Sequence, residues 1–535
     1  MSLQAVPVEN IMTKPPNILF IMADQFRADY LACAGHPTIR TPNLDALARD
    51  GVRFSEAFVQ APVCGGSRMS FYTGRYAFSH GAYYNNYPLR IDEKTIGDYL
   101  RPQGYRVALV GKTHMRPDLE TCERLGLDVE SADGVLMRQC GFEPVERDDG
   151  LHPDQLVDPN LAYNVYLRKQ GYEGDNPWHD YANASEGEDG EILSGWFLRN
   201  ARLPARVREE HSETAYMTDR AMGFMGETRD RPWCLHLSYI KPHWPYMAPA
   251  PYHDMYSAGD ILDANRADSE KDGCNPVLSA FMKHEESVNF SRDEVRAAVI
   301  PTYMGLITQL DHHIGRVRTF LKETGQTDNT IIVFTSDHGD YLGDHWLGEK
   351  DLFHDEVMRV PLIIHDPRPE ADATRGRTIA EFAEAIDLVP TFLDWAEGAP
   401  QTQRLEGRSL TPLLRGTVPP GWRNAVYADS CFALRHARKD LGLEPDEARA
   451  FMLRSTRWKY MRFEKHPPLL YDLQADPREL NDLGRSNFHA DTRAEMDGLL
   501  FDWLRRRKLR TTLSDAEIEQ RTGGAQKRGI YFGVW

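Results

Sequence analysis

The chain has no apolar run approaching the roughly 20 residues that span a bilayer, so no membrane-crossing helix is expected. Residues 1–16 have no apolar core of the secretory kind and a single basic residue, Lys14. Paired cysteine spacing is also missing. Cys33, Cys64, Cys122, Cys140, Cys234, Cys274 and Cys431 are scattered without a Cys-x-x-Cys, which argues against a disulfide framework and a zinc–thiolate site. Positive charge is scarce overall. A formal net charge of −17 excludes nucleic acid as the expected partner, because phosphate contacts need clustered Lys and Arg. No internal repeat is present. Together these absences point to a cytoplasmic protein that binds neither nucleic acid nor membrane.

At 535 residues the chain exceeds what one simple core accommodates. Its 41% hydrophobic and 27% charged residues are ordinary for a globular protein. Four apolar runs each end abruptly in residues that bind metals or move protons. Asn17–Ala23 leads into Asp24-Gln25, and Arg106–Gly111 into Lys112-Thr113-His114. Cys234–Ile240 leads into Lys241-Pro242-His243, and Thr330–Ser336 into Asp337-His338-Gly339-Asp340. Short continuous runs of this kind mark strands buried on both faces of a parallel sheet. Ligands in such sheets sit beyond the carboxyl ends of the strands, so the four ends predict one shared site.

The organisation follows from the same pattern. An N-terminal extension, 1–16, precedes a catalytic α/β unit at 17–419, with a mostly parallel sheet flanked by helices. Two irregular insertions, near 119–210 and 249–292, are rich in polar residues and border the expected site. A long helix is predicted from Arg292 to Thr324. Residues 420–499 read as a smaller unit with an antiparallel sheet and a helix, because Trp458–Phe463 alternates and Leu469–Leu473 follows it. The tail, 500–535, ends in the apolar Ile530–Trp535 and suggests a subunit contact, hence a homo-oligomer, dimer or tetramer.

Asp24, Gln25, Asp337 and His338 offer carboxylate, amide and imidazole ligands to one divalent ion, Ca²⁺ or Mn²⁺. Helix capping is the plain alternative for strand-end Asp residues. In Pro62–Ser70, Cys64 precedes a helical stretch, and a nucleophile there gains from the helix N–H groups and dipole. The alternative for Cys64 is a small buried hydrophobe. Arg68, Lys112 and Lys350 form a local positive cluster that admits a small anionic substrate despite the global charge.

Cys64-Gly65-Gly66-Ser67-Arg68 followed by Thr73-Gly74-Arg75 resembles the sulfatase signature Cys-x-Pro-Ser-Arg with its downstream Thr-Gly-Arg. The order Asp24-Gln25, Cys64, Lys112-x-His114, Pro242-His243, Asp337-His338-Gly339 and Lys350 is similar to that family, as is Leu470–Leu473 with Asp476-Pro477-x-Glu479. The resemblance covers roughly residues 17 to 485. It implies the alkaline-phosphatase-like fold, in the branch shared by type I sulfatases and phosphonate monoester hydrolases.

In that branch the signature cysteine is converted to formylglycine by a formylglycine-generating enzyme, the expected maturation partner. The family's roles map onto this chain residue by residue. The metal is held by Asp24, Gln25, Asp337, His338 and modified Cys64, and Arg68 orients the hydrate. Lys112, His243 and Lys350 bind the anionic oxygens, His243 or Lys350 protonates the leaving oxygen, and His114 expels sulfate. Asn85 aligns with a substrate contact, with a turn-forming Asn as the alternative. Gly66 stands where the signature has Pro or Ala and is the more flexible residue, which bears on conversion of Cys64.

Lys112 and His114 favour sulfate esters, where phosphonate hydrolases resemble Tyr-Thr-Thr-Thr. Asp24-Gln25 and Gly305–Thr308 resemble the phosphonate side. The expectation is an arylsulfatase with secondary phosphonate monoester and phosphodiester activity. The alternatives are a phosphonate monoester hydrolase, a choline-sulfatase-like enzyme, or a catalytically dead binding protein if Cys64 stays a thiol.

Overall fold

The computed structural model describes residues 15–150, 152–153, 158–522 and 524–529. The tail segment Ile530–Trp535 and most of the N-terminal extension lie outside them. In chain order the elements that matter are β1 (Asn17–Asp24), β2 (Val52–Phe54), α1 (Cys64–Thr73), β3 (Arg106–Gly111) and β4 (Glu143–Arg147), then α2 (Glu213–Glu227), β5 (Trp233–Pro242), α3 (Asp293–Glu323) and β6 (Thr330–Ser336). After these come β7 (Leu362–His365), β8 (Thr378–Ile379), β9 (Ala425–Cys431), β10 (Arg449–Ser455), β11 (Trp458–Phe463), β12 (His466–Asp472) and α4 (Ala490–Arg505).

Eight strands form one mixed sheet in the order β8-β2-β7-β6-β1-β5-β3-β4. The heart of it, β6-β1-β5-β3, is parallel throughout, and β7 alone runs antiparallel to its neighbours. Every residue of β1, β5 and β6 is buried, which is why these strands read as unbroken apolar runs. Their polar ends are level: Ala23 pairs with Ser336 and Gly111 with Ser238. A bulge between Met22 and Asp24 shifts the register against β5 and re-aims the Asp24 side chain, as bulges do beside functional sites.

The long helix α3 and α2 pack on one face of the sheet with Leu19, Ile21 and Leu235. α1 sits on the other, with Met69, Phe71 and Tyr72 against Phe20 and Leu109. The region 119–210 reads from sequence as an irregular insertion, yet it contributes β4 to the sheet edge. β4 is half-buried, charged and carries Pro144, so no apolar run announces it; edge strands tolerate both features. The four-stranded antiparallel sheet β9-β10-β11-β12 stands apart, with α4 packed on it through Met496, Leu500 and Trp503. α4 runs through residue 500 and ends at Arg505, because its apolar stripe reaches Trp503 before the basic run begins.

Candidate active site

Two buried carboxylates at the ends of β1 and β6 organise the site. Arg68, one turn into α1, bridges them: its Nε donates to Asp337 Oδ2 at 2.8 Å and its Nη2 to Asp24 Oδ2 at 3.1 Å. Its Nη1 donates to the Lys112 carbonyl at 2.9 Å and Ser238 Oγ at 2.7 Å. Lys112 Nζ lies 2.7 Å from Asp24 Oδ2. All four charged side chains are fully buried, where an unpaired charge is costly. Burial and Cys64 push Asp24 up, but Lys112, His243 and Arg68 overrule them and hold it well below the carboxylate range. Gly111, which precedes Lys112, has φ +108, and any Cβ there would stand 1.9 Å from the Ser238 carbonyl. Only glycine brings Lys112 this close to β5.

With the Oδ2 atoms spent on cations, the Oδ1 atoms remain. Asp337 Oδ1 also accepts the Gln25 N–H at 3.0 Å. His338 Nδ1 donates to the Gly339 carbonyl at 2.7 Å, so its Nε2 faces Cys64 Sγ at 3.1 Å. Asp24, Cys64, Asp337 and His338 bring one ligand atom each within 4.8 Å of one another. Burial opposes a charge on His338, yet Asp337 and Cys64 raise it to about 9; the field at Nε2 draws in positive charge. Oxygen and imidazole donors in a negative field fit a divalent cation. A second cluster, His345, Glu356 and Glu479, already has its cation: Lys459 Nζ lies 2.6 Å from Glu479 Oε1.

Gln25 is oriented by chemistry. Its Nε2 donates to the Asp340 carboxylate and, at 3.4 Å, to Tyr246 Oη. A carboxylate only accepts, so Gln25 Oε1 must face the other way, and it takes a bond from Lys350 Nζ at 2.9 Å. Lys350 also reaches Cys64 Sγ at 3.3 Å and His243 Nε2 at 3.2 Å.

Cys64 is the first residue of α1, whose ten residues are all buried. Burial opposes its ionisation, but Lys350, Lys112 and His338 hold the thiol well below its ordinary range. The position of residue 64 therefore favours negative charge. Gly66 is explained by packing: a Cβ there would lie 2.9 Å from the Tyr83 carbonyl and 3.0 Å from Ala61 Cβ. Asn85 Oδ1 accepts the Gly65 N–H at 2.7 Å, so Asn85 satisfies a free donor of α1.

His243 donates from Nδ1 to the Trp244 carbonyl at 2.6 Å, which leaves Nε2 to accept from Lys350. Burial, with Lys350 and Lys112, pushes its pKa down to about 4 against the pull of Asp24. His114 has φ +55 and its side chain also meets the Cys64 thiol. The backbone N–H groups of Thr113 and His114 both donate to Asp149 Oδ1, at 3.0 and 2.9 Å.

A family model for sulfatases matches residues 16–399, nearly three-quarters of the sequence. The chain belongs to the sulfatase family. Residues 343–505 also match the C-terminal region of N-sulphoglucosamine sulphohydrolase. The multifunctional alkaline phosphatase superfamily protein PehA of Trinickia caryophylli is 33% identical over 491 residues, 87% of this chain and 91% of its own. An arylsulfatase of Clostridium perfringens is 28% identical over 88% of this chain and 90% of its own. The crystal structure of a phosphonate monoester hydrolase of Agrobacterium radiobacter is similar at TM-score 0.79 and 30% identity, covering 94% of this chain and 99% of its own. The alkaline-phosphatase-like architecture is thus shared.

Sequence reading missed Ser238, Asp149, Asp340 and Tyr246, all of which position site residues. Asp340 follows the Asp337-His338 pair on the same loop and offered a local signal; Asp149 lies in an irregular stretch and offered none. A further cavity of about 270 Å³ opens beside the site, walled by Trp196, Trp244, Tyr246 and Phe290. A larger one, about 530 Å³, lies at the other end of β6 around Arg318 and His365, away from Cys64.

Proposed function

We propose that the protein hydrolyses sulfate monoesters of the arylsulfatase type, using a formylglycine made from Cys64 by a formylglycine-generating enzyme. The observation that carries this reading is Cys64 at a buried helix start with Lys112, His114, His243 and Lys350 around it. A divalent ion, Ca²⁺ or Mn²⁺, held by Asp24, Gln25, Asp337 and His338 with residue 64, would supply Lewis-acid stabilisation of the charged oxygens.

The chain's own groups do the rest. Lys112 and Lys350 neutralise charge on the equatorial oxygens. Neutral His243, accepting from Lys350, forms with it a pair holding one transferable proton on the leaving-group side; that proton goes to the departing ester oxygen. His114 then takes the proton from residue 64 as sulfate leaves. Arg68 is a positioning residue, since its donors all serve Asp24, Asp337, Lys112 and Ser238. Asn85 holds the 83–85 segment over the nucleophile, within reach of a bound ester.

Secondary activity on phosphonate monoesters and phosphodiesters belongs to the same proposal, because one anion site admits several tetrahedral groups. Phosphonate hydrolysis as the main activity is the second reading, favoured by the likeness to the Agrobacterium enzyme. Parallel kcat/KM values on an aryl sulfate, choline sulfate and a phenylphosphonate monoester decide. A tenfold phosphonate preference, about 1.4 kcal/mol of transition-state binding, reverses the order. The intact mass of the Cys64 peptide tests the nucleophile: conversion exchanges sulfur for oxygen and removes two hydrogens. Active protein with an unconverted peptide refutes the mechanism. Chelation is expected to abolish turnover and lower the thermal midpoint, with Mn²⁺ or Ca²⁺ restoring both.

A further inference from the structure

Lys350 reaches Gln25, Cys64 and His243 from a loop whose backbone is strained on both sides of it. Glu349 has φ +57 and Asp351 has φ +93, left-handed conformations uncommon outside glycine. Such residues persist only where the surrounding structure over-determines them. On one side the restraint is the Glu349 carbonyl, which accepts the Tyr341 N–H at 2.7 Å. On the other it is Asp351, which is 4% exposed and engaged from three directions.

The Asp351 N–H donates to the carbonyl of Pro62 at 3.4 Å, two residues before Cys64. Asp351 Oδ1 accepts the Tyr84 hydroxyl at 2.5 Å, and Tyr84 adjoins Asn85, whose side chain meets the Gly65 N–H. Burial and Asp351 push the Tyr84 hydroxyl well above its ordinary range, so it stays a donor. Asp351 Oδ2 lies 3.0 Å from Arg435 Nη2. Arg435 follows β9 and so comes from the C-terminal unit. The same guanidinium holds Glu286 and reaches His284 Nδ1 at 3.1 Å, both in the 249–292 insertion. One carboxylate thus ties the Lys350 backbone to the residues leading into Cys64, to the segment that meets α1, and to a cation from outside the α/β unit. A buried carboxylate left without a counter-charge is costly, and among the described residues Arg435 is the one cation in an ion pair with Asp351.

We propose that Asp351 is a positioning residue for Lys350 and that Arg435 is its anchor, so that the C-terminal unit helps to set the geometry of the site. The inference rests on the ester-hydrolase reading only for the work assigned to Lys350.

The test pairs two substitutions with a rescue. Asp351→Asn keeps the side chain's shape, an acceptor for Tyr84 and a residue tolerant of positive φ, and loses the ion pair. Arg435→Gln removes the charge from the other side, and Arg435→Lys restores it. Kinetics are measured on a series of substituted phenyl esters of whichever group, sulfate or phosphonate, the protein turns over. Asp351→Asn and Arg435→Gln are each expected to lower kcat about tenfold or more with little change in KM. The loss should grow as the leaving group becomes more basic, because Lys350 shares the proton that the departing oxygen takes. Arg435→Lys should recover most of the rate. A loss that is equal across the series, or that Arg435→Lys fails to recover, overturns the proposal. Crystal structures of the same two variants read position directly, whatever ester is cleaved. In them Lys350 Nζ should withdraw from Gln25 Oε1 by about 1 Å or more, the scale of misplacement that costs rate. Lys350 left in place in both variants refutes the proposal even if activity falls, and a displaced Lys350 supports it even if neither ester is turned over.

Discussion

Arg68 spends its three guanidinium nitrogens on four acceptors, two of them carboxylates of the candidate metal site. Lysine is a point charge and cannot reproduce that fork; glutamine removes the charge as well. Arg68→Gln therefore leaves Asp24 and Asp337 buried with too little compensation. The expected cost is about 3–5 kcal/mol of stability, the range for removing one partner of a buried pair. Urea denaturation at neutral pH checks it, and a loss under about 1 kcal/mol would place the clamp's energy elsewhere. At this scale the sequence was legible wherever chemistry sat on a strand end. Asp24, Lys112, His243 and Asp337 follow apolar runs whose burial their composition declares. Ser238 was not, because a hydroxyl inside an apolar run gives no sign that it will face Arg68, 170 positions away.

Among the elements, the turn after β3 brings both Lys112 and His114 to the site. His114 is half-exposed with a positive φ, a conformation uncommon outside glycine, and Asp149 Oδ1 ties down its N–H and that of Thr113. Asp149→Ala is expected to lower kcat by about 10²-fold, the penalty for a small misplacement of a reacting group. Asp149→Asn keeps an oxygen acceptor and should recover most of the rate. Equal damage from both variants would mean that the charge, rather than the positioning, matters. Element legibility followed burial. The strands buried on both faces declared themselves, whereas β4 paired at an edge with charged residues and a proline. Trp196, from the 119–210 insertion, and Glu285 and Glu286, from the 249–292 insertion, meet at one cavity. Only tertiary structure brings those segments together.

For the whole molecule, acid sensitivity follows from histidines buried in the neutral form. His80 and His236 are fully buried, and burial pushes both from an ordinary 6.5 down to about 3. Between those values the unfolded chain takes up protons that the native state refuses. Stability therefore falls as pH drops from about 6.5 toward 3, by up to about 1.4 kcal/mol per unit for each histidine. His345 has the opposite sign: burial opposes its charge, but Glu356 and Glu270 raise it to about 10, so its contribution persists in acid and fades only as pH rises toward that value. Urea midpoints should decline from pH 6.5 to 5, and less steeply in His236→Phe; a flat profile would contradict the assignment. Phe488, Phe501 and Leu509 are exposed apolar residues in the C-terminal unit. They fit the proposal of a homo-oligomer, for which light scattering should give a multiple of 61.1 kDa.

The burial of α1 also has a temporal meaning. Cys64 is 1% exposed, and the turn that follows it is closed off by the Tyr83 carbonyl and the Asn85 side chain. An enzyme that reads this stretch as an extended peptide has no access once the helix has docked. On the proposed conversion of Cys64 to formylglycine, maturation and folding compete, and whichever reaches residue 64 first fixes the fate of that molecule. On that proposal protein that folds as the thiol is a dead end, so slower synthesis or colder growth should raise the active fraction without changing a residue.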